Sequence, residues 1–315
     1  MSGKRVLVTG GAGFIGSHVC DAYLARGWRV TALDNLSSGR RSNVPDGVEF
    51  VELDVRAPDM ADLFRQRRFD LVNHHAAQID VRVSVQQPRL DASINLDGLL
   101  NLLECAVDSG VERVVFVSSG GVVYGEPDRL PVGRSAPKLP LSPYGVSKLA
   151  GEHYLYSFRK LRGLVYTALR YSNVYGPRQD PHGEAGVVAI FSRKLTTAEP
   201  LTVYGDGEQT RDYVFVKDVA EANLIVSEAD LPDPAGLDDV AFNVGTGRET
   251  SVNELARVLI EVSGSSVEIR HADERPGELR RNSLDASELR ALGWAPRYTL
   301  EQGLRETYRS IAENA

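Results

Sequence analysis

Tyr144 and Lys148 stand four residues apart in Ser-Pro-Tyr-Gly-Val-Ser-Lys, just behind a predicted helix start. On a helix that spacing stacks both side chains on one face. A phenol ionises at about pH 10, so it works as a general base at neutral pH only beside a fixed positive charge. An ammonium one turn away supplies that charge, and the pair reads as a proton-transfer device. With 12 tyrosines in 315 residues the spacing also describes an ordinary solvated helix face. Its meaning therefore depends on what surrounds it.

A nucleotide site precedes it. Val6, Leu7 and Val8 form a short apolar run that ends in Thr9-Gly10-Gly11-Ala12-Gly13-Phe14-Ile15-Gly16, and residues 14–26 carry a helical apolar pattern. In the order strand, glycine loop, helix, Gly10 makes the tight turn and Gly13 admits a pyrophosphate to the backbone amides. Gly16 brings the helix close to the strand, and Phe14 and Ile15 open the helix whose N-terminus faces the phosphates. A second apolar strand, 29–33, ends in Asp34, near the spacing at which a carboxylate meets an adenosine ribose. Asp34 accepts from a ribose diol and repels a 2′-phosphate, so the expected cofactor is NAD and not NADP. Arg40 and Arg41 follow closely and are expected to be solvated.

These devices need a scaffold, and the rest of the chain predicts one. Residues 48–52, 71–73, 114–117 and 165–169 are apolar runs of strand length separated by helical stretches such as 96–107. Such alternation implies an α/β fold with a doubly wound parallel sheet of the Rossmann kind. Ligands of these sheets lie beyond the carboxyl ends of the strands, where Asp54, His75, Ala76, Ala77, Ser118, Ser119, Tyr171 and Asn173 fall. His74 and His75, adjacent on a strand, point to opposite faces and cannot converge on one metal ion. Past residue 171 the pattern loosens. The expected division is a dinucleotide-binding domain over 1–171 and a smaller substrate domain over 172–315, with a segment near 214–246 rejoining the first sheet.

Composition bounds the partners. With 42% hydrophobic residues the chain can bury an ample core. Its 36 basic and 43 acidic side chains leave a net charge of −7, which argues against a general nucleic-acid surface. Cys20 and Cys105 are the only cysteines, each on a predicted helix, and suggest a reducing compartment. The first strand begins too early to leave room for a signal peptide, and no apolar stretch reaches the length of a membrane span. The expected location is cytoplasmic.

Taken together, Gly-Gly-Ala-Gly-Phe-Ile-Gly-Ser-His, Asp34-Asn35-Leu36-Ser37-Ser38-Gly39, Ser142-Pro143-Tyr144 through Lys148, Asn173-Val174-Tyr175-Gly176-Pro177-Arg178 and Arg211-Asp212-Tyr213 through Val219 resemble the extended short-chain dehydrogenase/reductase superfamily. Within it the chain most resembles the UDP-glucose 4-epimerases. The resemblance implies that Tyr144 removes the proton of the sugar 4-hydroxyl while C4 is oxidised by NAD. The transient 4-keto sugar then turns over and is reduced on its other face. It also adds Asn35, Ser37, Gly39, Val55 and Asn95 to the cofactor contacts. For UDP it implies Asn173, Gly186, Val187, Thr202 and Tyr204, with Arg211 and Arg275 on the diphosphate and Glu278 on the ribose; arginine forks suit paired phosphate oxygens.

One position departs from the family. A serine or threonine usually stands four residues before the tyrosine of Val-Tyr-Gly, and here that residue is Gly120. Ser119 is the expected substitute. Sugar 4,6-dehydratases carry an acidic pair where Gly121 and Val122 stand, so their general acid is missing. UDP-N-acetylhexosamine and UDP-glucuronate 4-epimerases remain open, and Asn282 occupies a position that resembles the one limiting bulk at C2. A dinucleotide sensor without turnover is the alternative of another class, though it would have little reason to keep Tyr144 with Lys148. The resemblance implies a homodimer, for which the 96–107 helix is the expected pairing surface.

Overall fold

Strands buried on both faces form the centre of the molecule, as parallel sheets require. The structure is a computed structural model and describes residues 3–181, 186–274 and 279–314. The first six strands are β1 (Arg5–Thr9), β2 (Arg29–Asp34), β3 (Glu49–Glu52), β4 (Leu71–His74), β5 (Arg113–Ser119) and β6 (Val165–Tyr171). Short strands β7 (Asn173–Tyr175), β8 (Leu201–Tyr204), β9 (Thr210–Arg211) and β10 (Tyr213–Phe215) follow, then β11 (Ala241–Val244), β12 (Thr250–Ser251) and β13 (Ile269–Ala272). The central sheet is parallel, in the order β11-β6-β5-β4-β1-β2-β3. Its order reverses between β1 and β4, the crevice where doubly wound sheets take their ligands.

Helices cover both faces. On one side α1 (Phe14–Ala25) is buried against a later helix through Val19, Cys20 and Tyr23. On the other lie α2 (Met60–Arg67), α3 (Val81–Gln86), α4 (Pro88–Ala92), α5 (Gly98–Asp108) and α6 (Pro143–Arg162). A third core gathers around β8 and β13 between α7 (Val187–Thr196), α9 (Val252–Ser263) and α11 (Leu300–Glu313). The helix packed on α1 is α8 (Val216–Glu228), and α10 (Ser287–Ala291) packs beside β11.

α6 positions the chemistry, and its local sequence explains its placement. Ser142 caps it by accepting from Gly145 N at 3.2 Å, Pro143 occupies the first turn, and Gly163 ends it at φ +74°. Gly151 lets the helix lie close to β5, since a Cβ there would come 2.6 Å from Phe116 Cζ. That approach places Tyr144 and Lys148 against the end of β5.

Strand and helix segments expected from the sequence appear with ends shifted by a residue or two. The 96–107 helix begins at Gly98, and the five residues before it, 93–97, form a π-helical turn. Residues 213–215 pair with β7 and not with the central sheet, whereas β11 pairs with β6. The exposure of the 96–107 helix differs more substantially from expectation. α5 turns Leu99, Leu102, Leu103, Cys105 and Ala106 into the core, because it packs flat on the sheet. Exposed apolar side chains lie instead on α3, α4 and α6, at Val85 (60% exposed), Leu90, Val146, Tyr154 and Leu161 (78%). Among the described residues no helix is long and apolar enough to cross a membrane.

Candidate active site

The glycine loop is built so that only glycine fits. Gly10 sits at φ +66°, and a Cβ on Gly16 would lie 2.2 Å from the Gly10 carbonyl oxygen. α1 starts at Phe14, with Ile15 in its first turn, no side chain capping its N-terminus and no acid in the first turn. Its free amides suit an anion. Asp34, at the end of β2, accepts from Ala12 N at 3.1 Å on one oxygen and from Leu36 N at 2.9 Å on the other. Gly13 N also lies against this carboxylate, whose two oxygens keep acceptor capacity for a diol. Gly39 allows this carboxylate its place, since a Cβ there would approach it to 2.8 Å. Arg40 pairs with Asp180 at 3.1 Å and Arg41 lies over the Phe50 ring at 4.7 Å. Both arginines are engaged away from Asp34, which agrees with a ribose diol and not a 2′-phosphate.

Beyond β3, Asp54 is gripped by the Arg56 fork at 2.8 Å and accepts from Asn35 Nδ2 at 2.8 Å. The guanidinium holds its carboxyl well below the usual range. Ser37 N donates to Asn35 Oδ1, and Val55 is buried against Gly98. Ala76 N donates to Thr9 Oγ1, and Ala76 and Ala77 line the end of β4. His74 shares a 2.7 Å hydrogen bond with Thr9, while His75 Nε2 is buried without a partner. Burial pushes both imidazoles down to about 3, so both are neutral. The glycine cradle, the Asp34 acceptors and the orphaned His75 nitrogen together fit a dinucleotide.

Three predicted catalytic groups meet at the end of β5. The Ser119 side chain lies close to the Tyr144 phenol and favours its ionised form. Lys148, 3% exposed, donates to Val117 O at 3.0 Å and lies 5.7 Å from the Tyr144 ring centroid. Burial draws its ammonium down to about 8, and burial pushes the Tyr144 phenol above its ordinary value. The lysine alone therefore does not hold the phenol deprotonated. Gly120 is turned away from the site: a Cβ there would meet Leu284 Cδ1 at 2.5 Å and Arg170 O at 3.2 Å. Leu284 occupies the space a side chain would need, which is why the hydroxyl at Tyr144 comes from the residue before.

The side-chain hydroxyls of two expected cofactor contacts are engaged within the protein. Ser118 donates its hydroxyl to Glu152 at 2.6 Å, and Glu152 is locked to the buried Arg170. Alternation along β5 sends Ser118 to the opposite face from Ser119. The Tyr171 phenol accepts from Asn223 Nδ2 at 2.6 Å inside a buried network with Asn73, Tyr23 and Ser227. Each therefore offers a cofactor only its backbone or, for Tyr171, a ring face. Asn95 is well placed, on the π-helical turn, where its amide bonds both backbone groups of Gln78 and reaches Ser147 Oγ at 3.2 Å.

The substrate half is less closed. Asn173 is exposed at the start of β7, and Gly186 leads into α7 at Val187. Thr202 and Tyr204 lie on β8, with the Thr202 hydroxyl accepting from Lys194 at 3.0 Å. Arg211 donates one Nη to Thr210 O and Leu279 O, leaving the rest of its fork. Arg275 and Glu278 lie outside the described residues.

Sequence reasoning missed two supporting residues. Asp212, fully buried, accepts from Thr246 N and Oγ1, Gly247 N and Leu284 N, and so pins Leu284 over the Gly120 turn. Asp91, also buried, accepts from Asn95 Nδ2 four residues on. Its signal was the same four-residue helical spacing that exposed Tyr144 and Lys148.

The chain as a whole is similar to known proteins. Residues 6–245 match the NAD dependent epimerase/dehydratase family. A UDP-glucose 4-epimerase of Mycolicibacterium smegmatis is 45% identical over 96% of this chain and 97% of its own. The structure of Thermus thermophilus UDP-glucose 4-epimerase in complex with NAD is 45% identical with a TM-score of 0.92, covering 99% of this chain and 100% of that one. Thermotoga maritima UDP-glucose 4-epimerase with UDP-glucose is 43% identical with a TM-score of 0.93, covering 98% and 99%. With that family matched over residues 6–245, and with its fold and nearly its whole length in common with these proteins, the chain belongs to the NAD dependent epimerase/dehydratase family.

Proposed function

We propose that the protein catalyses reversible, NAD-dependent epimerisation at C4 of a UDP-hexose, with UDP-glucose and UDP-galactose as the pair. The observation that carries this reading is the Tyr144 phenol close to Ser119, with the Lys148 ammonium 5.7 Å from its ring, at the carboxyl edge of the sheet that holds the glycine loop. NAD, when bound, supplies reversible oxidation at sugar C4 and a positively charged ring. Tyr144 takes the proton of the 4-hydroxyl and returns it, and Ser119 donates to the same oxygen. Lys148 lends the phenolate its cation and is kept in place by Val117 O. Gly10, Gly13, Gly16, Asp34 and the loop from Asn35 to Gly39 hold the dinucleotide. Asn173, Gly186, Val187, Thr202, Tyr204 and Arg211 hold UDP, joined by Arg275 and Glu278.

One observation favours a second substrate class. Asn282 is 1% exposed, and both atoms of its amide lack partners. A buried orphan amide suits a polar substituent, so UDP-N-acetylhexosamine is the competing substrate. An NMR time course with UDP-glucose, UDP-N-acetylglucosamine and UDP-glucuronate, without added NAD, decides between them. Appearance of one galacto-configured product names the substrate and indicates retained cofactor; no conversion even after NAD is supplied overturns the epimerase reading and favours a dinucleotide sensor.

The protein is further read as a cytoplasmic homodimer with neither nucleic acid nor membrane as partner. Two free, buried thiols and a net charge of −7 support the first and last of these. The apolar side chains of α3, α4 and α6 support pairing through that face. Sedimentation of the wild type against Leu161→Glu tests it, and an unchanged monomer–dimer distribution would count against this surface.

A further inference from the structure

A buried acid stands behind the catalytic pair. Asp91, on α4, is 1% exposed, although carboxylates are almost never fully buried without a partner. Its Oδ1 accepts from Gln78 Nε2 at 3.0 Å and from Asn95 Nδ2 at 3.1 Å. Both donors are neutral, so they hold the carboxyl without cancelling its charge. Asn95 Nδ2 also reaches Ser147 Oγ at 3.2 Å, and Ser147 donates to the Tyr144 carbonyl at 2.9 Å. A polar chain therefore runs from α4, through the π-helical turn, to the backbone of Tyr144, and α4 packs directly on α6.

We propose that Asp91 is a positioning residue of this site: through Asn95 and Ser147 it holds the first turn of α6, and its charge is the counter-ion of the buried Lys148 ammonium. The kinetic consequence rests on the epimerase reading above; the electrostatic one does not.

Among the described residues, the other groups facing Lys148 cannot fill that role. From β4, His74 and His75 are neutral; from β5, the Phe116 ring, the Val117 carbonyl and Ser119 carry no net charge. Asn95 is neutral, and Tyr144 on the same helix is kept protonated by burial. Glu152, one turn further along α6, is committed to Arg170. Burial lowers Lys148 while Asp91 acts in the opposite direction. Removing the negative charge leaves desolvation unopposed, so the ammonium then loses its proton at lower pH.

Asp91→Asn keeps the shape and the acceptor while deleting the charge. The first readout is the Lys148 side-chain titration by NMR in the protein without substrate, the resonance being identified by its loss in Lys148→Arg. In Asp91→Asn the midpoint should fall by about one pH unit or more, and Asp91→Glu should restore it. In the epimerase assay the alkaline limb of kcat should move down in parallel, with KM for the UDP-sugar little changed. Ser147→Ala, which cuts the polar chain and leaves the charge, should lower kcat without moving the limb. Should Asp91→Asn not fold, Asp91→Ser offers the same loss of charge with less bulk. An unmoved Lys148 titration overturns the proposal, as does a kcat lowered equally at all pH values. If the wild type epimerises none of the three sugars, the epimerase reading fails and the titration still decides the counter-ion.

Discussion

The two sides of the cleft are finished to different degrees. On the side made by β5, α4 and α6, the chain partners its own polar atoms: Lys148 with Val117 O, Asn95 with Gln78, Asp91 and Ser147, and Ser118 with Glu152. On the side made after β6, Asn282 at both amide atoms, Ser283 and Ser172 are buried without partners. Each such atom costs about 1–3 kcal/mol while it stays unsatisfied. The difference teaches that the proton-transfer machinery is organised before any ligand arrives, whereas the substrate side holds polar capacity in reserve. Preorganised catalytic groups and a pocket completed by its ligand are a workable division of labour in an enzyme.

The contrast can be broken by substitution on either side. Tyr144→Phe should have the largest effect, lowering kcat by about 10²–10⁴-fold with UDP-sugar affinity held within a few-fold; calorimetry beside the NMR assay separates the two, and a loss confined to affinity would deny the catalytic role. Ser119→Ala should cost about 10²-fold in kcat. Adding Gly120→Ser to it should give no rescue, because a side chain at 120 runs into Leu284 and Arg170 O. Recovery of activity in the double variant would show that the turn can reshape.

Gly151→Ala acts on placement and not on chemistry. Its Cβ would press on Phe116, a buried ring with little room to retreat, and should destabilise the fold by about 1–3 kcal/mol. A lowered melting temperature with reduced kcat and unchanged UDP affinity is the expected pattern. The smallest effect on stability belongs to Asn282→Leu. Because the native amide has no partners to lose, the variant should be neutral or up to about 2 kcal/mol more stable by urea unfolding. The sugar's KM should rise, and a loss of stability instead would mean that the substrate side is satisfied by the chain after all.

Legibility followed the range of the interaction. The strand, glycine loop and helix from Arg5 to Ala25, and the carboxylate at Asp34, were readable because each depends on neighbours within a few residues or on strand–helix alternation. The Tyr144–Lys148 pair was readable for the same reason. The partners of the Ser118 and Tyr171 hydroxyls were not readable, because strand-end position reveals proximity to the crevice but not which face a side chain takes once Glu152 and Asn223 compete for it. The 96–107 helix was expected to be exposed, whereas α5 is apolar for the sheet beneath it, and apolar character alone does not say whether a helix meets its own core or another molecule.

By itself the chain determined a dinucleotide loop, a preference for a ribose diol and a phenol with an ammonium one helical turn away, since 3.6-residue and two-residue periodicities carry those arrangements locally. Only the tertiary structure placed Leu284 against the Gly120 turn and a buried acid on the helix that packs on α6. Leu284 excludes a side chain at Gly120, and α4 brings Asp91 against α6. Both depend on packing between segments far apart in sequence, where volume and desolvation, not spacing, select the outcome.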